Sequence, residues 1–343
     1  MSDHWKIAAL IAAGTLEGFA FATSGICYPE TFRATFSFKG SILLKLFVCG
    51  VGSAMIAQAI AARFYPQKFE RSRHFTNNSF GMLRVICGTF LVGTGMALAG
   101  TGPTMVPAQL GVGVSSIGYI IGGALVGGTI HSLLEGALNL RTTFKADANA
   151  DTSIDHHLHA KYSNVAAPLG ALFIGCERLF SVFFPTAGEQ AALSNALTTP
   201  PIVAGLVLGL NQIPLRLIGG VSQGGTRSIM ALLNVMTFGK IGARFKLSAP
   251  EVKFQFAYVW GGILLGSFAA SMVMKLPRPE GFSALESFLG GVIMIIGART
   301  ANGCTCGHGI SGFSELSFES IAGAASIFAG GIATTFLMGA LQA

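Results

Sequence analysis

The chain has 343 residues, 51% of them hydrophobic and only 11% charged, with 22 Lys and Arg against 15 Asp and Glu for a formal net charge of +7. Soluble domains carry about 25% charged residues, so this composition cannot clothe a water-exposed surface. The basic excess does not point to nucleic acid, because the Lys and Arg flank apolar runs and lack interleaved aromatics; lipid head groups and membrane orientation account for it.

Taken from the N-terminus, apolar stretches near the length that crosses a hydrocarbon core of roughly 30 Å lie at 7–26, 41–63, 81–100, 115–138, 166–184, 200–220, 254–275, 287–302 and 318–340. The expected fold class is an all-α integral membrane protein with about nine membrane spans plus short broken or re-entrant helices. The first run is not a signal peptide: Glu17 interrupts it and no small-residue cleavage site follows cleanly. With 46 glycines spread through apolar segments, close helix packing and helix breaks are expected. The six cysteines sit mostly in or beside apolar runs, which argues against a secreted disulfide framework; Cys49, Cys87 and Cys176 read as small packing residues.

Between the apolar runs lie a basic stretch at 63–84, an acidic and His-rich stretch at 147–161, and a basic stretch at 227–253. All three fall on the cytoplasmic side if the N-terminus is cytoplasmic, as the positive-inside rule prefers. His156, His157 and His159 are expected in a solvated loop. Ionisable residues inside apolar runs need partners. Glu17 and Arg216, in corresponding places of the two ends of the chain, are expected to pair with each other or across the halves, and His131 with Glu135 to form an i,i+4 pair.

An internal repeat organises the chain. Gly95-Met96-Ala97-Leu98-Ala99-Gly100-Thr101-Gly102-Pro103-Thr104 parallels Gly297-Ala298-Arg299-Thr300-Ala301-Asn302-Gly303-Cys304-Thr305-Cys306, and a weaker match sets 24–31 against 219–226. Residues 1–138 then form a first transmembrane repeat, 139–199 a polar loop and linker span, and 200–343 a second repeat. Five crossings separate the two starts, so the halves are expected to be inverted and pseudo-symmetric, with a site near the bilayer midplane.

The densest chemistry is the stretch from Gly297 to Gly312. Non-helical backbone at membrane depth is tolerated only where protein or a wet cavity satisfies it, so this stretch is expected to line a cavity. Its glycines leave N–H groups free to face an anion, and a thiol adds a soft, polarizable partner suited to another sulfur atom. Cys304, Cys306 and His308 lack a second ligand cluster, so no metal and no cofactor is expected. Arg299 is expected to act as an anion partner or as a brace of the broken helix. Nothing matches a phosphate-binding loop, which makes ATP hydrolysis by this chain unexpected.

The same stretch resembles the signature of the YeeE/YedE family of sulfur transporters, a pattern running roughly G-A-R-x-A-x-G-C-x-x-G-H-x-x-S-G. Gly297, Ala298, Arg299, Ala301, Gly303, Cys304, Gly307, His308, Ser311 and Gly312 all match. Gly93 to Gly100, with Gln109, Leu110, Gly111 and Gly113, looks like the first-half motif, and Ser24-Gly25-Ile26-Cys27-Tyr28-Pro29 like the N-terminal one. The resemblance implies a multi-pass protein, of the plasma (inner) membrane, that is not an enzyme. It implies passage of thiosulfate or a related small sulfur anion through a narrow central pore, relayed between thiols without a stable covalent bond. Cys304 and Cys27 take thiol positions, Gly303, Gly307 and His308 shape the constriction, and Arg299 balances its charge. In close thiosulfate transporters the first-half motif reads A-G-x-C-P; here Gly102 stands at the cysteine, and Cys306 is an additional thiol. The alternatives are a membrane sulfur-transfer protein that forms a cysteine persulfide and a carrier of a selenium or sulfide-type anion. A soluble sulfur-carrier protein is a candidate partner, and nucleic acid is not.

Overall fold

A computed structural model describes residues 4–73, 75, 81–137, 153–183, 199–220, 223–226, 229–230 and 255–342. Among these the chain is helical, apart from turns and an isolated antiparallel bridge between Ser153 and Ser317. In chain order the helices are α1 (His4–Thr23), α2 (Pro29–Phe36), α3 (Ile42–Phe64), α4 (Pro66–Ser72), α5 (Met82–Ala99), α6 (Val106–Val112), α7 (Ile117–Ala137) and α8 (Ile154–His157). They continue with α9 (Tyr162–Phe183), α10 (Pro201–Leu210), α11 (Gln212–Leu217), α12 (Gln255–Met274), α13 (Ala284–Thr300), a π-helical segment (Thr305–Gly312) and α14 (Phe318–Gln342).

Every predicted apolar stretch holds helix, but six described helices are long and apolar enough to cross a membrane, against the nine expected: α1, α3, α5, α7, α12 and α14. Helix α13 and the π-helical segment, bent by 46° where they join, make a seventh if counted as one broken span. Helix α9 contains Pro168 and Glu177. Helices α10 and α11 together reach only from Pro201 to Leu217, about 25 Å at roughly 1.5 Å per residue, with a break at Asn211. Side chains such as Leu83, Leu265, Met272, Val273 and Leu337 are more than half exposed, an outer surface that lipid accepts and water does not.

Helix α1 packs along α12, α3 lies between α9 and α10, α5 between α13 and α14, and α13 between α5 and α7. Glycines set the closest of these crossings. On α5, Gly88 and Gly95 are seven apart, as are Gly290 and Gly297 on α13. A Cβ at Gly95 would stand 2.5 Å from the Met294 nitrogen, and one at Gly297 would stand 2.5 Å from the Gly88 carbonyl oxygen. Only hydrogen at these four positions lets the backbones touch, as in other small-residue membrane interfaces. The consequence for the site is direct, because α5 and α13 are the two helices that end in the sequence-predicted breaks.

Several expectations are corrected by the packing. Arg216 pairs with Glu315 rather than Glu17: its Nη2 lies 2.6 Å from Glu315 Oε1, with both side chains at most 1% exposed. Cys87 is exposed on α5 rather than packed, while all six thiols are free. His156, His157 and His159 are exposed, as expected, but on a short docked segment whose Asp155 is buried in a bidentate pair with Arg73 at 2.8 and 2.9 Å. The Glu135 side chain, the start of the acidic stretch at 147–152 and nearly all of the basic stretch at 227–253 lie outside the described residues.

Candidate functional site

Helix α5 ends at Gly100, whose φ of +64° is a left-handed cap that glycine adopts without cost. A side chain there would also press within 2.7 Å of the Phe282 ring. Helix α13 ends at Ala301, followed by Asn302 at φ +55° and the extended Cys304. Both helices leave carbonyls without intrahelical donors, and arginines from other elements supply them. Arg33 Nε donates to Ala97 O at 2.9 Å and its Nη2 to Leu98 O at 3.2 Å; Arg84 Nε donates to Thr300 O at 2.6 Å.

The two breaks meet. A Cβ built on Gly102 would stand 3.7 Å from both Met96 Cε and Thr305 Oγ1, and the Thr305 hydroxyl donates to Met96 Sδ at 3.0 Å. Gln109 ties the N-terminal motif to the same place, its Nε2 donating to the Gly100 carbonyl at 2.8 Å and to the Cys27 carbonyl at 3.2 Å. Cys27 is therefore beside the first break, fully buried.

His308 braces the second break. Its Nε2 is 2.9 Å from the Ala301 carbonyl and its Nδ1 3.0 Å from Ser320 Oγ. A carbonyl can only accept, so Nε2 carries the proton, and in the neutral ring Nδ1 accepts from the serine hydroxyl. The ring packs on Phe75, centroids 4.9 Å apart, and passes over Gly303, where a Cβ would stand 2.5 Å from His308 Cδ2. The G-C-x-x-G-H spacing thus encodes a clamp: glycine clears the ring, and the ring holds the break open against α14. Gly307 faces Cys304, its Cβ position 3.8 Å from Cys304 Sγ.

Cys304 and Cys306 are 1% and 6% exposed. Cavities flank the breaks. One of about 20 Å³, room for about one water, includes Thr104, Gln223, Gly224, Gly225 and Trp260 in its wall; another of about 20 Å³ includes Met96, Thr305, Phe36, Phe47 and Phe328. Neither wall includes a cysteine. Both thiols are occluded in this conformation. Arg299 is half-buried in the last turn of α13. Among the described residues, no group of three or more His, Cys, Asp or Glu could hold a metal ion.

A buried polar network behind the breaks was not anticipated. The Glu17 carboxylate accepts from Asn211 Nδ2 at 3.1 Å and from Gln223 Nε2. Gln212 Nε2 donates to Gln223 Oε1 at 2.9 Å, and the Ser311 hydroxyl to Gln212 Oε1 at 3.0 Å. Gln58 and Tyr162 bind Ser314, at 2.6 Å to its hydroxyl and 2.5 Å to its carbonyl. The signal available in the sequence was the presence of Gln58, Asn211 and Gln212 inside apolar runs.

Residues 23–333 match the family described as sulphur transport. The chain belongs to this family. Among relatives, it is 24% identical over 339 residues to the thiosulfate transporter TsuA of Spirochaeta thermophila, covering 91% of this chain and 94% of the relative. It is 28% identical over 144 residues to a probable transporter of Xylella fastidiosa, 41% of this chain but 96% of that protein. For this sulphur-transport protein, family and relatives alike indicate a transporter rather than an enzyme, and the apolar helices make it a multi-pass membrane protein.

Proposed function

We propose that the chain carries thiosulfate or a closely related sulfur anion across the plasma (inner) membrane through a narrow passage where the α5 and α13 breaks meet. The observation that carries this is the juxtaposition of the breaks, where Gly102 and Met96 meet Thr305, the residue between the buried Cys304 and Cys306. Thiols are weak donors and soft partners for sulfur, and the surrounding layer is rich in backbone that glycine leaves uncovered. Cys304 and Cys306 are the thiol contacts at the second break, and Cys27 the one beside the first. Gly102, Gly303, Gly307 and His308 set the width, and Arg299 contributes positive charge at the end of α13. The relative named for thiosulfate, aligned over nearly its whole length, supports that cargo.

Two inverted halves, 1–138 and 200–343 with 139–199 between them, frame this passage, and nine crossings complete it when α9, α10–α11 and the bent α13 pair are counted. The packing supports the pairing of halves. Exchanging α1 with α10, α3 with α12, α5 with α13, α6 with the π-helical segment and α7 with α14 returns the principal contacts among them: α1–α12 becomes α10–α3, α5–α14 becomes α13–α7, and α6–α12 becomes the contact of the π-helical segment with α3. A relative of about half the length, matched almost end to end, is consistent with one half as a unit. A soluble sulfur-carrier protein receiving the cargo remains part of the proposal.

Labelled-thiosulfate uptake into proteoliposomes tests it. Cys304→Ala should lower initial uptake at least about tenfold, a loss of roughly 1.4 kcal/mol or more in the barrier-crossing step, while leaving thermal unfolding near wild type, because the thiol fills little volume. Cys27→Ala should lower uptake as well. Equal uptake by all three proteins discards the thiol passage, and no uptake by wild type discards the cargo.

A further inference from the structure

We propose that Glu17 couples transport to protons, binding one H⁺ for each anion that passes Cys306, so that anion and proton move together. The inference rests on the passage described above. Glu17 is fully buried at the middle of α1. Its hydrogen-bond partners among the described residues are two amides, Asn211 and Gln223, and no described cation touches it. Amide donors stabilise a carboxylate without cancelling its charge, and a buried charge lacking a counter-ion is costly. The cost rises further when a sulfur anion arrives at Cys306, because the carboxylate is joined through Gln223 and Gln212 to the Ser311 hydroxyl of the π-helical segment that carries this thiol, and two like charges at low dielectric repel strongly. Protonation removes that repulsion. By linkage the anion must then favour the protonated form of Glu17 as much as protonation favours the anion.

Water has a place beside this carboxylate. Gln223, the donor to Glu17, is also part of a cavity wall. The same wall includes Trp260, whose Nε1 is buried without a hydrogen-bond partner among the described residues. A buried polar atom without a partner is a place where water completes the bonding. The proton comes from that water onto a Glu17 carboxylate oxygen and returns to water when the anion has left; no bond to sulfur forms or breaks.

The other titratable groups nearby are accounted for. Of the elements packed on α1, α12 offers Tyr258, α11 offers Arg216, and α6 and α10 offer none. Arg216 is committed to Glu315 and to the Ser72 carbonyl. On α1 itself His4 and Lys6 are confined to the first turn. The π-helical segment and its cap contribute Cys304, Cys306 and His308, the last held between Ala301 and Ser320.

The test uses full-length protein in proteoliposomes holding a pH-sensitive dye, with the membrane potential clamped and an inward thiosulfate gradient. Wild type should acidify the lumen as label enters, and uptake should fall at least about fivefold between roughly pH 5.5 and 8 outside. Glu17→Gln, fixed in the neutral form, should still take up label, with less than about a twofold change over that range and no lumenal acidification. Should Glu17→Gln fail to fold, Gln223→Leu decides: losing a donor to the carboxylate moves the wild-type pH midpoint upward, whereas an unmoved midpoint overturns the coupling role. Uptake by wild type without acidification also overturns it, leaving the passage intact, as does a Glu17→Gln protein with the wild-type profile. If wild type takes up no thiosulfate, the passage and the coupling fall together.

Discussion

Arg216→Met is expected to destabilise the protein by about 3–5 kcal/mol, the range for breaking a buried ion pair from one side. Arg216 spans three elements. Its Nη2 meets Glu315 Oε1 at 2.6 Å, its Nη1 donates to the Ser72 carbonyl at 2.8 Å, and Glu315 Oε2 in turn accepts from the Phe75 backbone N–H at 2.8 Å. Methionine replaces the bulk of the stem but takes the guanidinium away from Glu315, which is fully buried. Arg73 cannot substitute, because its guanidinium already grips Asp155 through both nitrogens and donates to the Glu315 backbone carbonyl at 3.0 Å. The double variant Arg216→Met/Glu315→Gln should recover most of the loss, since it removes the uncompensated charge rather than exposing it. Thermal unfolding of the detergent-solubilised protein, followed by near-ultraviolet dichroism, measures both. A single variant within about 1 kcal/mol of wild type would remove the pair from the account of what anchors the π-helical segment.

The contrast between Arg216 and Glu17 shows what the sequence could and could not convey. Helices, breaks and the clamp residues were legible because each is local: apolar runs of the right length, Gly100 where a left-handed cap is needed, Gly303 five residues before the ring it must clear. The chemistry of the second break was legible for the same reason, since Cys304, Gly307 and His308 sit within five positions. Partner choice was not legible. Two opposite charges in corresponding apolar runs invited a mutual pair, yet Arg216 found Glu315, at a place in the sequence that reads as the end of a glycine-rich break. Glu17 instead faces amides from Asn211 and Gln223, some 200 positions away. Tertiary packing selects partners by depth and direction, and neither is written in spacing along the chain. The shortfall in clear spans has a similar origin. Asn211 shortens one apolar helix, and it does so to deliver its side chain to Glu17 and to the Ala13 carbonyl.

Gly303→Ala and Gly102→Ala should behave as opposites, although both glycines sit in equivalent breaks. At Gly303 a methyl group would stand 2.5 Å from His308 Cδ2, 2.6 Å from His308 Nε2 and 3.2 Å from Phe75 Cε1. The ring cannot yield without giving up its bond to the Ala301 carbonyl, and Phe75 backs it on the other side. Overpacking of this kind typically costs about 1–3 kcal/mol, and a broken buried hydrogen bond adds roughly 1–3 kcal/mol for the carbonyl left unpaired. The expected result is a protein that unfolds several degrees lower and takes up labelled thiosulfate at least about tenfold more slowly, because the break that His308 holds open has moved. At Gly102 a methyl group would meet Met96 Cε and Thr305 Oγ1 at 3.7 Å, ordinary van der Waals contact, so unfolding should shift by less than about 0.5 kcal/mol. Gly102→Cys tests whether the same place also accepts a thiol: where the variant folds, a thiol-reactive probe applied with and without thiosulfate should report whether the new sulfur shares the anion's route. If Gly102→Ala destabilises as much as Gly303→Ala, the two breaks are not packed as described. Uptake by Gly102→Cys with thiosulfate against other sulfur anions measures whether a thiol at position 102 changes which anion is carried.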